Sequence, residues 1–433
     1  MMKLTEHKDD TAGKPIEKLP LPSRVYIPLA QHLGKACLPK VKIGDKVLTG
    51  EEIGNVEAAV YAPVHASISG KISAIEQWPH PLLGRASAIV IDGDGLDTPS
   101  RRNLLKEGEA DKLTPAQIRQ IVFQAGIVGM GGAAFPTHIK LNPLEPVDTL
   151  IINGAECEPY LTGDYRLMVE EAGRICQGIE ISARCLGVKR VFIAIEDNKP
   201  EAIKVFNSVC AKGGHARCPA SFKVSVLKSQ YPQGGEKQLI KNILGREVPC
   251  GRLPFAVGVV VQNVATAFSV YEAVFLGKPL YERVVTVKGG CITNPKNLLV
   301  RIGTPIKELI DSCGPLKEAP QKIIIGGPMM GIAQFDIQAP VIKSTTAVLL
   351  LDTRQMKIRL EELSCIRCGA CIRECPAGLM PCLINLAAIK EAWQEAKFYG
   401  AMDCIECGLC NYVCPARRRI VQLIKRVKLE AAR

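Results

Sequence analysis

Cys365-Ile-Arg-Cys-Gly-Ala-Cys-Ile-Arg-Glu-Cys-Pro376 is answered further on by Cys404-Ile-Glu-Cys-Gly-Leu-Cys-Asn-Tyr-Val-Cys-Pro415. Both stretches read C-x2-C-x2-C-x3-C-P, the spacing that holds a pair of [4Fe–4S] clusters. A cubane needs four soft thiolates around one small volume. Three come from a tight loop, and the distant fourth comes from the other run. One cluster is therefore expected on Cys365, Cys368, Cys371 and Cys414, and the other on Cys404, Cys407, Cys410 and Cys375. A pair of zinc knuckles is the competing reading. Zinc takes four ligands in two short pairs, so a third cysteine and a proline in each half speak against it.

The chain around this segment is long. At 433 residues it exceeds one ordinary domain, and three or four are expected. With 47% apolar and 23% charged residues it is globular in composition. A net charge of +12 suits a membrane surface, nucleic acid or an acidic redox partner. No clustering of aromatic with basic residues reads bases, so no nucleic-acid partner is expected. The opening MMKLTEHKDD lacks the apolar run of a secretory signal. The cysteines outside the two runs, such as Cys176, Cys185 and Cys291, are expected as small buried residues in a reducing cytoplasm. The most apolar stretch, 256–276, is broken by Gln262, Asn263 and Glu272 and reads as a buried strand followed by a helix, not a membrane span.

The expected fold is multidomain, α/β plus β. Residues 1–95 read as an N-terminal barrel-sandwich domain. Val41-Lys-Ile-Gly-Asp-Lys-Val-Leu-Thr-Gly50 and Ala62-Pro-Val-His-Ala-Ser-Ile-Ser-Gly70 resemble the paired segments of lipoyl and biotinyl carriers. Those carriers put a modified lysine in the intervening hairpin. Here it reads Val56-Glu-Ala-Ala-Val-Tyr-Ala62, without lysine, so a docking or structural module is expected. His65 and His80 are expected as hydrogen-bonded structural residues rather than ligands.

A charged linker leads to an α/β domain, 113–278. Thr114 is an N-cap with Pro115 behind it, and Gln117 closes a capping box. Ile118, Ile121, Val122 and Ala125 form the apolar face of that helix, and Gly126 ends it. Then comes Gly129-Met-Gly-Gly-Ala-Ala-Phe-Pro-Thr-His-Ile-Lys140. Glycines at a helix start let amides approach a phosphate, with Lys140 as counter-charge; ordinary loops also collect glycines. The stretch is neither a P-loop nor a Rossmann fingerprint. A strand at 149–152 delivers Asn153-Gly-Ala-Glu-Cys-Glu-Pro159 at its C-terminal end, where α/β sheets bind ligands. Glu156 and Glu158 stand there beside an amide, or form a solvated acidic turn. A second glycine loop, Gln233-Gly-Gly-Glu-Lys-Gln-Leu239, opens another helix.

Residues 279–340 read as a β-grasp-like module with no catalytic group. The C-terminal domain, 355–433, begins near Arg359. The helix-forming Leu383-Ile-Asn-Leu-Ala-Ala-Ile-Lys-Glu-Ala-Trp393 between its cysteine runs makes it a helical two-cluster ferredoxin. Its last helix carries Ile420, Leu423, Ile424 and Val427 on one face. The basic face opposite suits a membrane or a partner.

This order of modules resembles the RnfC family, one of the components of the Rnf ion-translocating electron-transport complex. Its α/β and β-grasp parts are also similar to the flavin subunit of respiratory complex I. Tyr26-Ile-Pro-Leu-Ala-Gln-His-Leu-Gly34, Gly126-Ile-Val-Gly-Met-Gly-Gly132, Asn153-Gly-Ala-Glu-Cys-Glu-Pro-Tyr160 and the cysteine runs carry the resemblance, which covers nearly the whole chain. It implies FMN held on its phosphate side by Gly129, Gly131, Gly132 and Lys140, with Asn153 facing the flavin. Glu156, Glu158 and Glu236 would line a nicotinamide pocket. Two departures stand out: Ala134 occupies a position the family writes as glycine, and the family's Gly-His-Pro opening is missing.

The resemblance further implies that NADH gives hydride to FMN and that electrons then pass singly through the two clusters. The recipients are other subunits of a membrane Rnf-type complex, with ferredoxin as a partner through the complex. The implied place is peripheral, on the cytoplasmic side of the bacterial inner membrane. Two rival readings stand beside it. One is a soluble cobalamin reductase with similar flavin and cluster domains. The other is a non-enzymatic two-cluster relay, which Ala134 favours.

Overall fold

The computed structural model describes residues 2–101, 105, 108–211, 220–356 and 361–431. Arg359, the expected start of the cluster domain, lies outside them.

The N-terminal domain is two small sheets closed on one core. Arg24–Pro28, Gly84–Gly93, Gly70–His80 and Lys46–Val47 form an antiparallel sheet, and Leu38–Pro39, Glu52–Asn55 and Val64–His65 form the second. Alternate residues point inward, so Val25 and Ile27 meet Ile72, Ile89 and Ile91 inside. His80 is hydrogen-bonded to the Ala30 carbonyl at 2.8 Å. Burial lowers the pKa of His65 to about 3.

The α/β domain is built on four parallel strands, in the order Ser221–Leu227, Arg190–Glu196, Thr149–Gly154, Val259–Asn263. Both faces are covered. Leu150 and Ile152 pack on one side with Ile193 and Val260, while Ile151 packs on the other with Val259, Val261 and Leu239. The apolar stretch at 256–276 resolves into the strand Val259–Asn263 and the helix Val264–Leu276. The Thr114 capping box is formed, and its helix runs Pro115–Gln124.

The β-grasp-like module is a six-stranded mixed sheet. Its sheet reaches past residue 340: Ala347–Leu351, buried throughout, pairs in parallel with Glu282–Lys288 and antiparallel with Lys322–Ile325. Glu17–Lys18, from the N-terminal region, is added at the edge beside Lys296–Arg301.

The cluster domain repeats itself at the spacing that separates Cys365 from Cys404. Ala370–Arg373 answers Leu409–Tyr412, and Pro381–Ile389 answers Ile420–Ala431. The two longer helices pack through Ile384, Ala387 and Ala388 against Ile420, Val421, Ile424 and Val427. The helix expected through Trp393 breaks instead. Glu391 takes a left-handed φ of 55°, and a second helix, Trp393–Phe398, starts after it.

Candidate functional site: a flavin cradle beside two thiol clusters

The glycine loop lies over the C-terminal ends of the central strands. The Met130 amide donates to Thr266 Oγ1 at 2.9 Å, and the Gly129 amide donates to the Phe135 carbonyl at 2.9 Å. Gly132 has φ +128°, which L side chains rarely adopt, while a Cβ on Gly131 would stand 3.4 Å from Asn263 Cβ. From the sequence, Asn263 stood out only as a break in an apolar stretch. It ends the strand Val259–Asn263 and caps the following helix, accepting from the Ala265 amide at 2.8 Å, and its Nδ2 donates to Asp164 at 2.6 Å. An asparagine between an apolar strand and a helix was the available signal.

Asn153 sits on the neighbouring strand, in register with Asn263. Its Nδ2 donates to the Gly234 carbonyl at 2.9 Å, which brings the second glycine loop to the first. Lys140 and Glu236 form an ion pair of 2.7 Å at the rim, each about a third exposed (34% and 38%). The structure thus brings Gly129, Gly131, Gly132, Lys140, Asn153 and Glu236 around one end of the sheet.

Glu156 and Glu158 point away from each other. The Glu156 carboxylate accepts from the Asp164 and Tyr165 amides at 2.8 and 3.2 Å, at the start of the helix Gly163–Glu170. Glu158 accepts from the Met329 and Met330 amides at 3.1 and 2.9 Å and lies 3.5 Å from the Tyr231 hydroxyl. A Cβ on Gly327 would stand 2.1 Å from this carboxylate, so the turn can close over it only as glycine. Burial raises the Glu158 pKa to about 7. Burial also raises Asp164 to about 7, with Glu156 adding to the shift and Asn263 and Arg283 opposing it.

The Tyr231 hydroxyl donates to the carbonyl of Cys407 at 2.7 Å, which joins the α/β domain to the cluster domain. Cys375, Cys404, Cys407 and Cys410 line one cavity there with Leu379, Leu409 and Ile424. Burial raises the Cys407 thiol pKa to about 11, and the neighbouring thiols Cys404 and Cys375 push the same way. Iron would supply the positive charge that favours thiolates in this cavity. In the other half, the Leu363 amide donates to the Ala416 carbonyl at 3.0 Å, laying the approach to Cys365 beside Cys414. Cys371 is buried and Cys368 exposed. Among the described residues no three His, Cys, Asp or Glu side chains form a site for a single ion.

The residues fit both cofactors. The glycine loop leaves room over the sheet end: a Cβ on Gly132 would meet nothing within 4 Å, and Gly131 lies against Asn263 at the strand end. The cavity among four thiols has the donor set of a cubane.

Fold and site define a flavin- and iron–sulfur-binding electron-transfer protein. Sequence profiles agree module by module. The RnfC barrel sandwich hybrid domain matches residues 2–96, the Nuo51 FMN-binding domain 122–272, the SLBB domain 284–333 and the 4Fe-4S dicluster domain 357–421. The chain is 47% identical to the C subunit of the proton-translocating ferredoxin:NAD(+) oxidoreductase complex of Clostridium ljungdahlii, over 98% of this chain and 92% of that one. It is 44% identical to the Na(+)-translocating counterpart of Acetobacterium woodii, over 98% and 94%. It therefore belongs to the RnfC family of Rnf-complex subunits. Among solved structures, a chain of an NAD+-reducing [NiFe]-hydrogenase in the H2-reduced state aligns with TM-score 0.53 at 18% identity, over 74% of this chain and 63% of that one. That likeness is one of fold.

Proposed function

We propose that this chain is the electron-entry subunit of an ion-translocating ferredoxin:NAD+ oxidoreductase complex, working between NADH and two [4Fe–4S] clusters. The observation that carries it is the single hydroxyl of Tyr231, which spans from the sheet end holding the glycine loops to the Cys407 carbonyl. Bound FMN supplies the step from a two-electron donor to one-electron carriers. The glycine loop Gly129, Gly131 and Gly132 would hold its phosphate side with Lys140, the Gly129 amide itself being taken by the Phe135 carbonyl, and Asn153 would face its ring. Glu236 stands at the nicotinamide mouth.

Glu156 and Glu158 belong to the nicotinamide side by family resemblance. Backbone amides already hold their carboxylates, so they act as fixed partners rather than free bases, and hydride transfer requires no base. Electrons leave through the clusters to other subunits, with ferredoxin reached through them. No helix among the described residues is long and apolar enough to cross a membrane. The family resemblance supports peripheral attachment on the cytoplasmic side of the inner membrane; in the last helix Lys425 and Lys428 pair with Glu406 and Arg426 pairs with Glu391.

An anaerobic NADH titration of the full chain loaded with iron, sulfide and FMN tests the reading. Bleaching of both flavin and cluster bands is expected. Clusters reducible by dithionite but indifferent to NADH would overturn it.

A further inference from the structure

Residues 2–12 run ahead of the barrel-sandwich domain and do not pack into its core. They form a strap across the three other domains. Met2 pairs with Tyr231, with amide–carbonyl bonds of 3.0 and 2.8 Å. Leu4 and Met2 pack into a small apolar cluster with Tyr231, Cys157, Met329, Ile405, Cys407 and Leu409. Further along, the Glu6 carbonyl accepts from the Tyr160 amide at 2.8 Å, and His7 stacks on Tyr160 with centroids 4.7 Å apart. Lys8 is buried and donates to the Glu156 carbonyl. Thr11 Oγ1 meets Thr162 Oγ1 at 2.8 Å, and the Thr11 carbonyl accepts from Asn297 at 3.2 Å.

The cluster around Leu4 matters because of what it joins. Cys157 lies four residues past Asn153 and accepts from the Gly234 amide at 3.3 Å, so it belongs to the flavin end of the sheet. Cys407 is an expected cluster ligand. The apolar contact between them is completed by side chains from the strap.

We propose that the strap seals and positions the junction between the flavin cradle and the cluster of Cys375, Cys404, Cys407 and Cys410, so that electrons cross there in preference to the other cluster. This rests on the function proposed above. Leu4 and Met2 are positioning residues: they hold Tyr231 and the Cys404–Cys410 loop together while excluding water.

The test uses the full chain with residues 2–5 removed behind the initiating methionine, which keeps Lys8, and separately Leu4→Ala and Leu4→Met. Anaerobic stopped-flow with NADH follows the flavin and cluster bands apart. Flavin reduction is expected to stay within about twofold in all three. Transfer to the clusters should slow by about a hundredfold in the deletion and about tenfold in Leu4→Ala, the range that mispositioning produces, with Leu4→Met restoring it. In the protein without cofactors, amide hydrogen exchange at 405–409 should rise in the deletion and not in Leu4→Met. Unchanged transfer and unchanged exchange, or flavin and cluster reduction falling together, would overturn the proposal. If the unaltered chain itself fails to take electrons from NADH, the functional reading falls instead, and the hydrogen-exchange result alone decides whether the strap seals the junction.

Discussion

Ala134 holds φ +49° without being glycine. A left-handed backbone costs an L-residue roughly 1–2 kcal/mol. Its side chain is buried in the core cluster that includes Met130 and Val128, where a methyl returns about 0.8 kcal/mol. The two effects nearly cancel, so Ala134→Gly is expected to shift stability by less than about 1 kcal/mol. Because the methyl packs into the core, FMN affinity should move by less than about threefold, by fluorescence titration. A tenfold gain would show that the methyl crowds the cofactor. Glu158 makes a prediction of opposite character. Its folded pKa, about 7, lies above the ordinary 4.5, so the folded state disfavours the charged form. The stability present below pH 4.5 is lost as pH rises through 7. Urea unfolding of Glu158→Gln and the parent should diverge in favour of the variant across that window, by about 3 kcal/mol. A constant difference would refute the assignment. Little of this was legible beforehand. Glu158 was visible as a carboxylate at a strand end, but the amides that hold it come from residues 329 and 330.

The two cysteine loops show what local sequence does specify. Arg367 and Glu406 have φ 56° and 58°, and Gly369 and Gly408 have φ 70° and 81°. These paired left-handed residues fold each run into the same tight loop. The Leu379, Glu406 and Arg418 amides lie 3.4, 3.4 and 3.5 Å from Cys375, Cys404 and Cys414 sulfurs, donors of the kind that raise a cluster's potential. The loops were legible because the chain places three cysteines of each run within seven residues of one another. Crossed ligation predicts an exchange of effects. Cys375→Ser should disturb the electron paramagnetic resonance signal of the cluster on Cys404, Cys407 and Cys410. Cys414→Ser should disturb the other signal. Each variant disturbing the signal of its own run would refute crossed ligation. The helix Val264–Leu276 offers a plainer case. Asn263→Ala removes a cap and leaves buried Asp164 without its amide partner, at a cost of about 1–3 kcal/mol in thermal or denaturant unfolding.

At the scale of the molecule, one buried lysine ties domains that the sequence lists separately. Lys343 Nζ donates to the Pro63 carbonyl of the barrel-sandwich and to the Gly126 carbonyl of the α/β domain, each at 2.7 Å. Lys343→Met should cost about 2–4 kcal/mol through those unpaired carbonyls, read as a lower urea midpoint. An unchanged midpoint would mean the apolar contacts suffice. The module order was readable because hydrophobic period, caps and glycine turns are local. The docking of modules was not, since Lys343, Tyr231 and Leu4 each act on partners far away in the chain, and no short-range pattern marks them. The doubled cluster domain has one more consequence. With ligation crossed, each half would lend its fourth thiol to the other, and each cubane would be a stitch through both halves. The first iron to settle would then draw together the thiols that the second requires, and filling the domain would become a cooperative event. Iron given in short supply should leave a mixture of empty and doubly loaded molecules, with few bearing one cluster.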